Sequence, residues 1–320
     1  MNNKDKNKLI FFKKKNNDIT LNTESNKEIE IKHNKTIFMT YYKDVPEFVF
    51  SRWIKLNNNY KINFFNDDDC IIFLKNNFND YLSQLFKHIE VGMYKADLWR
   101  LCVLYIYGGV YADVDLVPHI NIDLLDKNIT FYSCLSIMQN SIFQAFIVNF
   151  SKPKNPLILC FLISFLLNKP QKISIGPTFD MYNCIKYNLN YINILPETRY
   201  NLTEIKIKVN IGSNDDNIKK INLYYFPIDL NYTIKLNENS KFKNSNFKFN
   251  IENNYLIVTK LDNPVGWDLH LSCDICIESN ESIFLFPENS GESHDKCNVT
   301  INNKIILYSR DSQYFKNGGW

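Results

Sequence analysis

The chain has 320 residues, 45% of them hydrophobic and 15% aromatic, enough apolar surface for one large core or two domains and too much for a disordered chain. Its 37 basic and 34 acidic residues leave a formal charge of +3, which excludes the strongly basic footprint of a nucleic-acid-binding protein. Asn, Lys, Ile, Phe and Tyr are used so heavily that single Asn-rich stretches such as residues 57–59 carry no message of their own.

Residues 1–34 are polar and rich in Lys and Asn without a sustained period, which predicts a flexible N-terminal arm. The apolar run at 9–12 is too short for a secretory signal, and the most hydrophobic run, 157–167, is about half of the roughly 20 residues a membrane span needs. A cytoplasmic protein without a transmembrane segment is therefore expected. Its eight cysteines, mostly within apolar segments, then read as reduced core residues and not as a disulfide framework.

Ordered structure is predicted to begin with a strand over 36–42 and an amphipathic helix from Val45 through Leu56. A second strand over 60–65 follows, with Asn66 capping a helix through about residue 76. One long helix over 85–107 should stop at Gly108 and Gly109, and a strand over 110–117 should follow at once. Alternation of strands and helices over 36–200 predicts an α/β layered domain. Beyond Pro196 short apolar alternations replace it at 205–210, 218–226, 255–261, 269–277, 282–286 and 304–309, so a β-rich module is expected over 201–309, with a boundary near 200.

The chemistry concentrates on the strand after the two glycines. With a two-residue period, Val110, Ala112, Val114 and Leu116 share one face while Tyr111, Asp113 and Asp115 share the other, the two carboxylates about 7 Å apart. Two such charges cannot be buried without a compensating cation, and hard divalent cations bind through one or two carboxylates together with substrate phosphates. Asp97 and Arg100, three residues apart, are neighbours on the preceding helix; a guanidinium suits phosphate and a carboxylate accepts hydroxyl hydrogen bonds from a sugar.

The run from Met93 to Arg100, then Leu104 and Tyr105, then Tyr107 through Asp115, resembles the DXD sugar-binding region of glycosyltransferase family 32, which includes yeast outer-chain mannosyltransferases and is related to glycosylating toxin domains. The resemblance is clearest over 90–118 and extends more weakly to 35–68 and 143–179. It implies an α/β fold of the GT-A type (a nucleotide-diphospho-sugar transferase with a Rossmann-like mixed sheet), a nucleotide-sugar donor, an Mn²⁺ or Mg²⁺ ion, and retaining transfer of a hexose to a hydroxyl acceptor on a glycan or protein. Residue by residue, it implies Asp115 as direct metal ligand, Asp113 as contact to donor and metal shell, and Asp97 and Arg100 as donor-orienting groups. Tyr41 or Tyr42 falls where the base is bound. Gly176-Pro177 matches a turn of the family, and Gln144 stands where Asn is more usual. The family's closing His-rich segment is reduced here to residues 315–320, which end in Gly318-Gly319-Trp320; that makes residues 310–320 a candidate lid with Trp320 over the donor, and leaves a third protein ligand unassigned.

Other signals rank below this one. Cys273, Cys276, His294 and Cys297 have spacings compatible with a zinc site, although a single CxxC in an alternating strand is more often incidental. His119 follows the acidic strand closely, and a structural histidine is the plainer reading. Two other functions remain open from sequence: a non-catalytic carbohydrate-binding or structural protein with a decayed transferase domain, and a metal-dependent nucleotidyltransferase.

Overall fold

A computed structural model describes residues 34–168, 176–190, 192–207, 224–236, 247–260 and 275–287, with short segments at 289–290, 297–298, 300–301, 305–306 and 308–311. Residues 1–33 of the expected N-terminal arm, the proposed lid residue Trp320, and Cys273 and His294 of the candidate zinc set lie outside these residues, as does the side chain of Cys297.

Strand β1 (Thr36–Thr40) leads into α1 (Glu47–Leu56), β2 (Lys61–Phe65) and α2 (Asp67–Asn77). Asn66 closes a capping box on α2, its side chain accepting from the amide of Asp69 while Asp69 reaches back to the Asn66 amide. The single helix expected over 85–107 is two helices, α3 (Asp80–His88) and α4 (Gly92–Tyr107). The reason is local: Asn79 caps α3 by accepting from the amide of Leu82, and Ile89 turns extended at the far end to bury its side chain in the core. Gly108 and Gly109 both have positive φ, and a side chain on Gly109 would press against the Thr36 carbonyl, so the sharp return from α4 into the sheet requires glycine there.

The chain continues through β3 (Gly109–Ala112), β4 (Leu116–Pro118), β5 (Phe131–Leu135), β6 (Ile142–Asn149), α5 (Pro156–Asn168) and α6 (Thr178–Asn188). Next come β7 (Arg199–Ile207), β8 (Tyr224–Pro227), β9 (Ile234–Leu236), β10 (Phe247–Glu252), β11 (Tyr255–Lys260) and β12 (Ile275–Phe286). Among the described residues an eight-stranded mixed sheet runs β2-β1-β3-β6-β5-β12-β7, with β9 also pairing β12. Strand β1 is parallel to both neighbours, β6 is antiparallel to β3 and β5, and β12 is parallel to β5 but antiparallel to β7. The fold is therefore mixed α/β, with a parallel β2-β1-β3 portion joined to the rest of the sheet through the antiparallel strand β6.

Strand alternation divides the core in two. Phe38 and Tyr111 face a cluster built with α2, α3, α4, α5 and α6, while Ile37, Met39, Val110 and Ala112 face one built with Val49, Phe50 and Trp53 of α1. The hydrophobic run expected to be a buried helix is α5, whose residues Leu157 to Ile163 are essentially inaccessible. Cys70, Cys102, Cys134, Cys160 and Cys184 are buried thiols. No helix among the described residues is long and apolar enough to cross a membrane.

The expected boundary near 200 falls within β7, and both β7 and β12 lie in the sheet that carries β1 and β3. A separate three-stranded sheet, β10-β11-β8, buries Tyr224, Phe226, Leu256 and Val258 in the same cluster as α4 and α5. The C-terminal strand Tyr308–Arg310 returns to pair antiparallel with β4.

Candidate active site

The site lies where β1 and β3 end, beside the start of β6. The strand expected over 110–117 is interrupted: β3 stops at Ala112, residues 113–115 form a turn closed by the Leu116 amide donating to the Asp113 carbonyl at 3.1 Å, and β4 begins at Leu116. The strict two-residue alternation that placed both carboxylates on one strand face thus does not hold through the motif. The Asp113 amide still reaches the Ala145 carbonyl at 2.9 Å, so the turn remains tied to β6. Both side chains are buried, Asp113 with 6% and Asp115 with 4% of its surface exposed.

Arg100 joins Asp113 to Asp97. From α4 its Nη2 sits 3.1 Å from Oδ1 of Asp97 and 3.3 Å from Oδ1 of Asp113, Nη1 donates to the Gln144 carbonyl at 2.7 Å, and Nε donates to the Ala96 carbonyl at 3.2 Å. The guanidinium lies over the Tyr111 ring at 4.5 Å, and the Tyr111 hydroxyl donates to Oδ1 of Asp113 at 2.6 Å. Burial alone would lower the Arg100 pKa, but Asp113, with Tyr111, Asp97 and Asp115, outweighs it and holds the group above its usual value. Burial pushes the Tyr111 phenol well up, so it remains a donor to Asp113. These contacts occupy the Arg100 fork within the protein, so its geometry is that of a brace for carboxylates and not of an open phosphate receptor.

The segment after α5 completes one wall. A Cβ on Gly176 would collide with the Asp97 carboxylate and stand 2.8 Å from Nε2 of Gln144, so only glycine lets the backbone pass there. Gln144, itself buried, donates from Nε2 to the Thr178 hydroxyl at 3.1 Å, while its Oε1 makes no hydrogen bond among the described residues. The structure thus brings together Asp97, Arg100, Asp113, Asp115, Gln144 and Gly176. Tyr41 and Tyr42 follow β1 at the same end of the sheet; Tyr41 is buried in the α1 cluster, whereas Tyr42 is half exposed with its ring 4.6 Å from that of Tyr41. His119 lies on the neighbouring strand end, its Nε2 2.8 Å from the Ser309 hydroxyl, as befits a structural role. Cys276, on β12, is partly buried and interacts with Glu204.

Sequence reasoning missed Arg52 and Asp311. Arg52 Nη2 donates to the Val114 carbonyl at 2.7 Å, Arg52 Nη1 pairs with Asp311 at 2.9 Å, and the Asp311 amide donates to the Asp115 carbonyl at 2.7 Å. A usable signal existed: only four arginines occur among the 37 basic residues, and an Arg kept in so Lys-rich a chain marks a need for the planar fork.

Two buried aspartates in a turn at a sheet end, one of them braced to Asp97 by Arg100, with Gln144 beside them, define a site of hard oxygen ligands and hydroxyl acceptors in a mixed α/β protein. Residues 44–133 match the family model of the glycosyltransferase sugar-binding region containing the DXD motif, so the chain carries that region, as its resemblance to family 32 implied. An uncharacterized glycosyltransferase of Acanthamoeba polyphaga mimivirus is 36% identical over 69 residues, which are 22% of this chain and 28% of that protein. The match thus spans little more than a quarter of the relative's length. A solved structure titled PaToxG Glycosyltransferase aligns with 48% of this chain and 68% of its own at 16% identity and a TM-score of 0.37, a likeness too slight to bear on the fold.

Proposed function

We propose that this chain is a metal-dependent, retaining glycosyltransferase of the GT-A type that moves a hexose from a nucleotide-diphosphate sugar to a hydroxyl of a glycan or protein. The observation that carries the reading is the buried turn of Asp113 and Asp115 within the matched DXD region, braced through Arg100 to Asp97. The donor set suits Mn²⁺ or Mg²⁺: the acidic turn offers hard carboxylate oxygens, and such ions commonly bind through one or two carboxylates together with substrate phosphates and water. Asp115 would be the direct ligand and Asp113, one of whose oxygens already serves Arg100 and Tyr111, would contribute to the metal shell and contact the donor. When bound, the ion supplies charge neutralisation for the departing diphosphate.

The protein's own groups orient the donor. Asp97 accepts a sugar hydroxyl from a carboxylate fixed by Arg100, and Gln144 offers its buried Oε1 as a second acceptor. Gly176 lets the backbone lie directly against the Asp97 carboxylate and the Gln144 amide, so that both are held in place from that side. Tyr42 is the more accessible platform for the base. In a retaining transfer on one face of the sugar, the acceptor oxygen bonds to the anomeric carbon as the bond to the diphosphate oxygen breaks, and the acceptor proton passes to that oxygen; no enzyme nucleophile is needed. Trp320 as a lid over the donor remains part of this proposal.

A panel of nucleoside-diphosphate sugars, incubated with Mn²⁺ or with chelator, tests the reading. At least one donor should release its nucleoside diphosphate only with metal present. Release of inorganic pyrophosphate from nucleoside triphosphates, with every sugar donor inert, would instead make the chain a nucleotidyltransferase.

A further inference from the structure

Three successive carbonyls, two in the acidic turn and the next at the start of β4, are held by groups from other elements. Val114 accepts from Nη2 of Arg52 at 2.7 Å, Asp115 from the Asp311 amide at 2.7 Å, and Leu116 from the Trp53 indole at 3.2 Å. The first two supports are joined, because Nη1 of Arg52 reaches the Asp311 carboxylate at 2.9 Å, with side chains only 15% and 17% exposed. One planar fork therefore ties helix α1, the acidic turn and the C-terminal strand at a single point.

Both partners arrive from fixed elements. Trp53, next to Arg52, is 1% exposed in the core. Tyr308 is fully buried, with its ring against Phe143 and Phe146 and its hydroxyl 3.3 Å from the Cys134 sulfur, so the strand that delivers Asp311 is anchored three residues earlier. Burial lowers the Arg52 pKa, opposed by the hydrogen bond and charge of Asp311 and then by the charge of Asp115. A turn held at carbonyls 114, 115 and 116 has little freedom to rotate its peptide planes, and those planes set the direction of the Asp115 side chain.

We propose that Arg52 and Asp311 are positioning residues, a charged latch between α1 and the C-terminal strand that holds the acidic turn in the geometry in which Asp115 meets a divalent cation. The proposal rests on the metal-site reading above, and two readouts keep them apart. In the full chain, Arg52→Gln and Asp311→Asn should each speed amide hydrogen exchange across residues 113–118 while leaving α4 unchanged. Each should also weaken Mn²⁺ binding, measured by the free-ion spin-resonance signal, by about tenfold, the lower end of what loss of a ligand-orienting partner costs. Arg52→Lys should lose less than Arg52→Gln, and the double variant should be no weaker than the weaker single, because the two residues act as one contact. Should Arg52→Gln fail to fold, Arg52→Lys and Asp311→Asn carry the same comparison.

Unchanged exchange over 113–118 in the latch variants overturns the proposal. So does faster exchange with Mn²⁺ affinity intact in those variants but lost in Asp115→Ala, since the latch would then support the fold alone. Mn²⁺ affinity indifferent to Asp115→Ala overturns the metal-site reading instead, and exchange at the turn then decides whether the latch holds the turn.

Discussion

Arg100 commits its whole guanidinium to groups of the protein, which sets what its removal does. Arg100→Ala leaves Asp97 and Asp113 buried beside each other without their cation, and loss of one partner from a buried ionic cluster costs about 3–5 kcal/mol. We expect a fall of that size in urea-unfolding free energy, together with loss of turnover; stability within about 1 kcal/mol of wild type would mean the carboxylates need no brace. Gly176 tests the same wall. A methyl there must displace the buried Asp97 carboxylate and Gln144, so Gly176→Ala should lower the melting temperature and raise the donor KM about tenfold, some 1.4 kcal/mol. An unchanged donor KM would remove Asp97 from the donor site. At this scale the site was partly legible: the motif named Asp97, Arg100, Asp113 and Asp115 by spacing. Arg52 and Asp311 were not legible, because they are 259 positions apart and meet only when a C-terminal strand returns to the sheet.

At the scale of elements, caps and glycines were readable because their causes are local. Asn66 was expected to start a helix and does so through a capping box; Asn66→Ala should lower stability by about 1 kcal/mol, read as a shift of the denaturation midpoint without change in slope. The break between α3 and α4 and the turn inside the acidic strand escaped a local reading. Ile89 leaves the helix to bury itself in the core, and the Asp113 turn is held by contacts from α1, β6 and the C-terminal strand, none of them neighbours in sequence. Buried Glu281 shows a similar long-range device on β12: it accepts hydrogen bonds from Thr130, Ser151 and Ser279 beside the bulge that shifts its register against β7.

At the scale of the molecule, the short apolar alternations after Pro196 were recognisable as strands, but their partners were not. Local periodicity shows that a segment is a strand and says nothing of which edge it joins. Two of them, β7 and β12, extend the sheet begun by β1, and Ile205, Ile207, Ile275, Ile277, Ile283 and Leu285 fill the cluster that also holds α4 and α5. A chain cut at residue 200 should therefore expose the β5 edge and the face of α5, and we expect it to be insoluble or to bind the hydrophobic dye ANS strongly. A soluble, cooperatively melting 34–200 fragment would establish an independent N-terminal domain.

The central claim is that the buried acidic turn is a metal-dependent nucleotide-sugar site, and the most direct measurement is nucleoside diphosphate release from the preferred donor at saturating Mn²⁺, comparing wild type with Asp115→Ala of matched melting temperature. Removing a preorganised group that stabilises developing charge costs about a hundredfold or more, so turnover should fall by at least that factor. Equal turnover in the two proteins would contradict the claim.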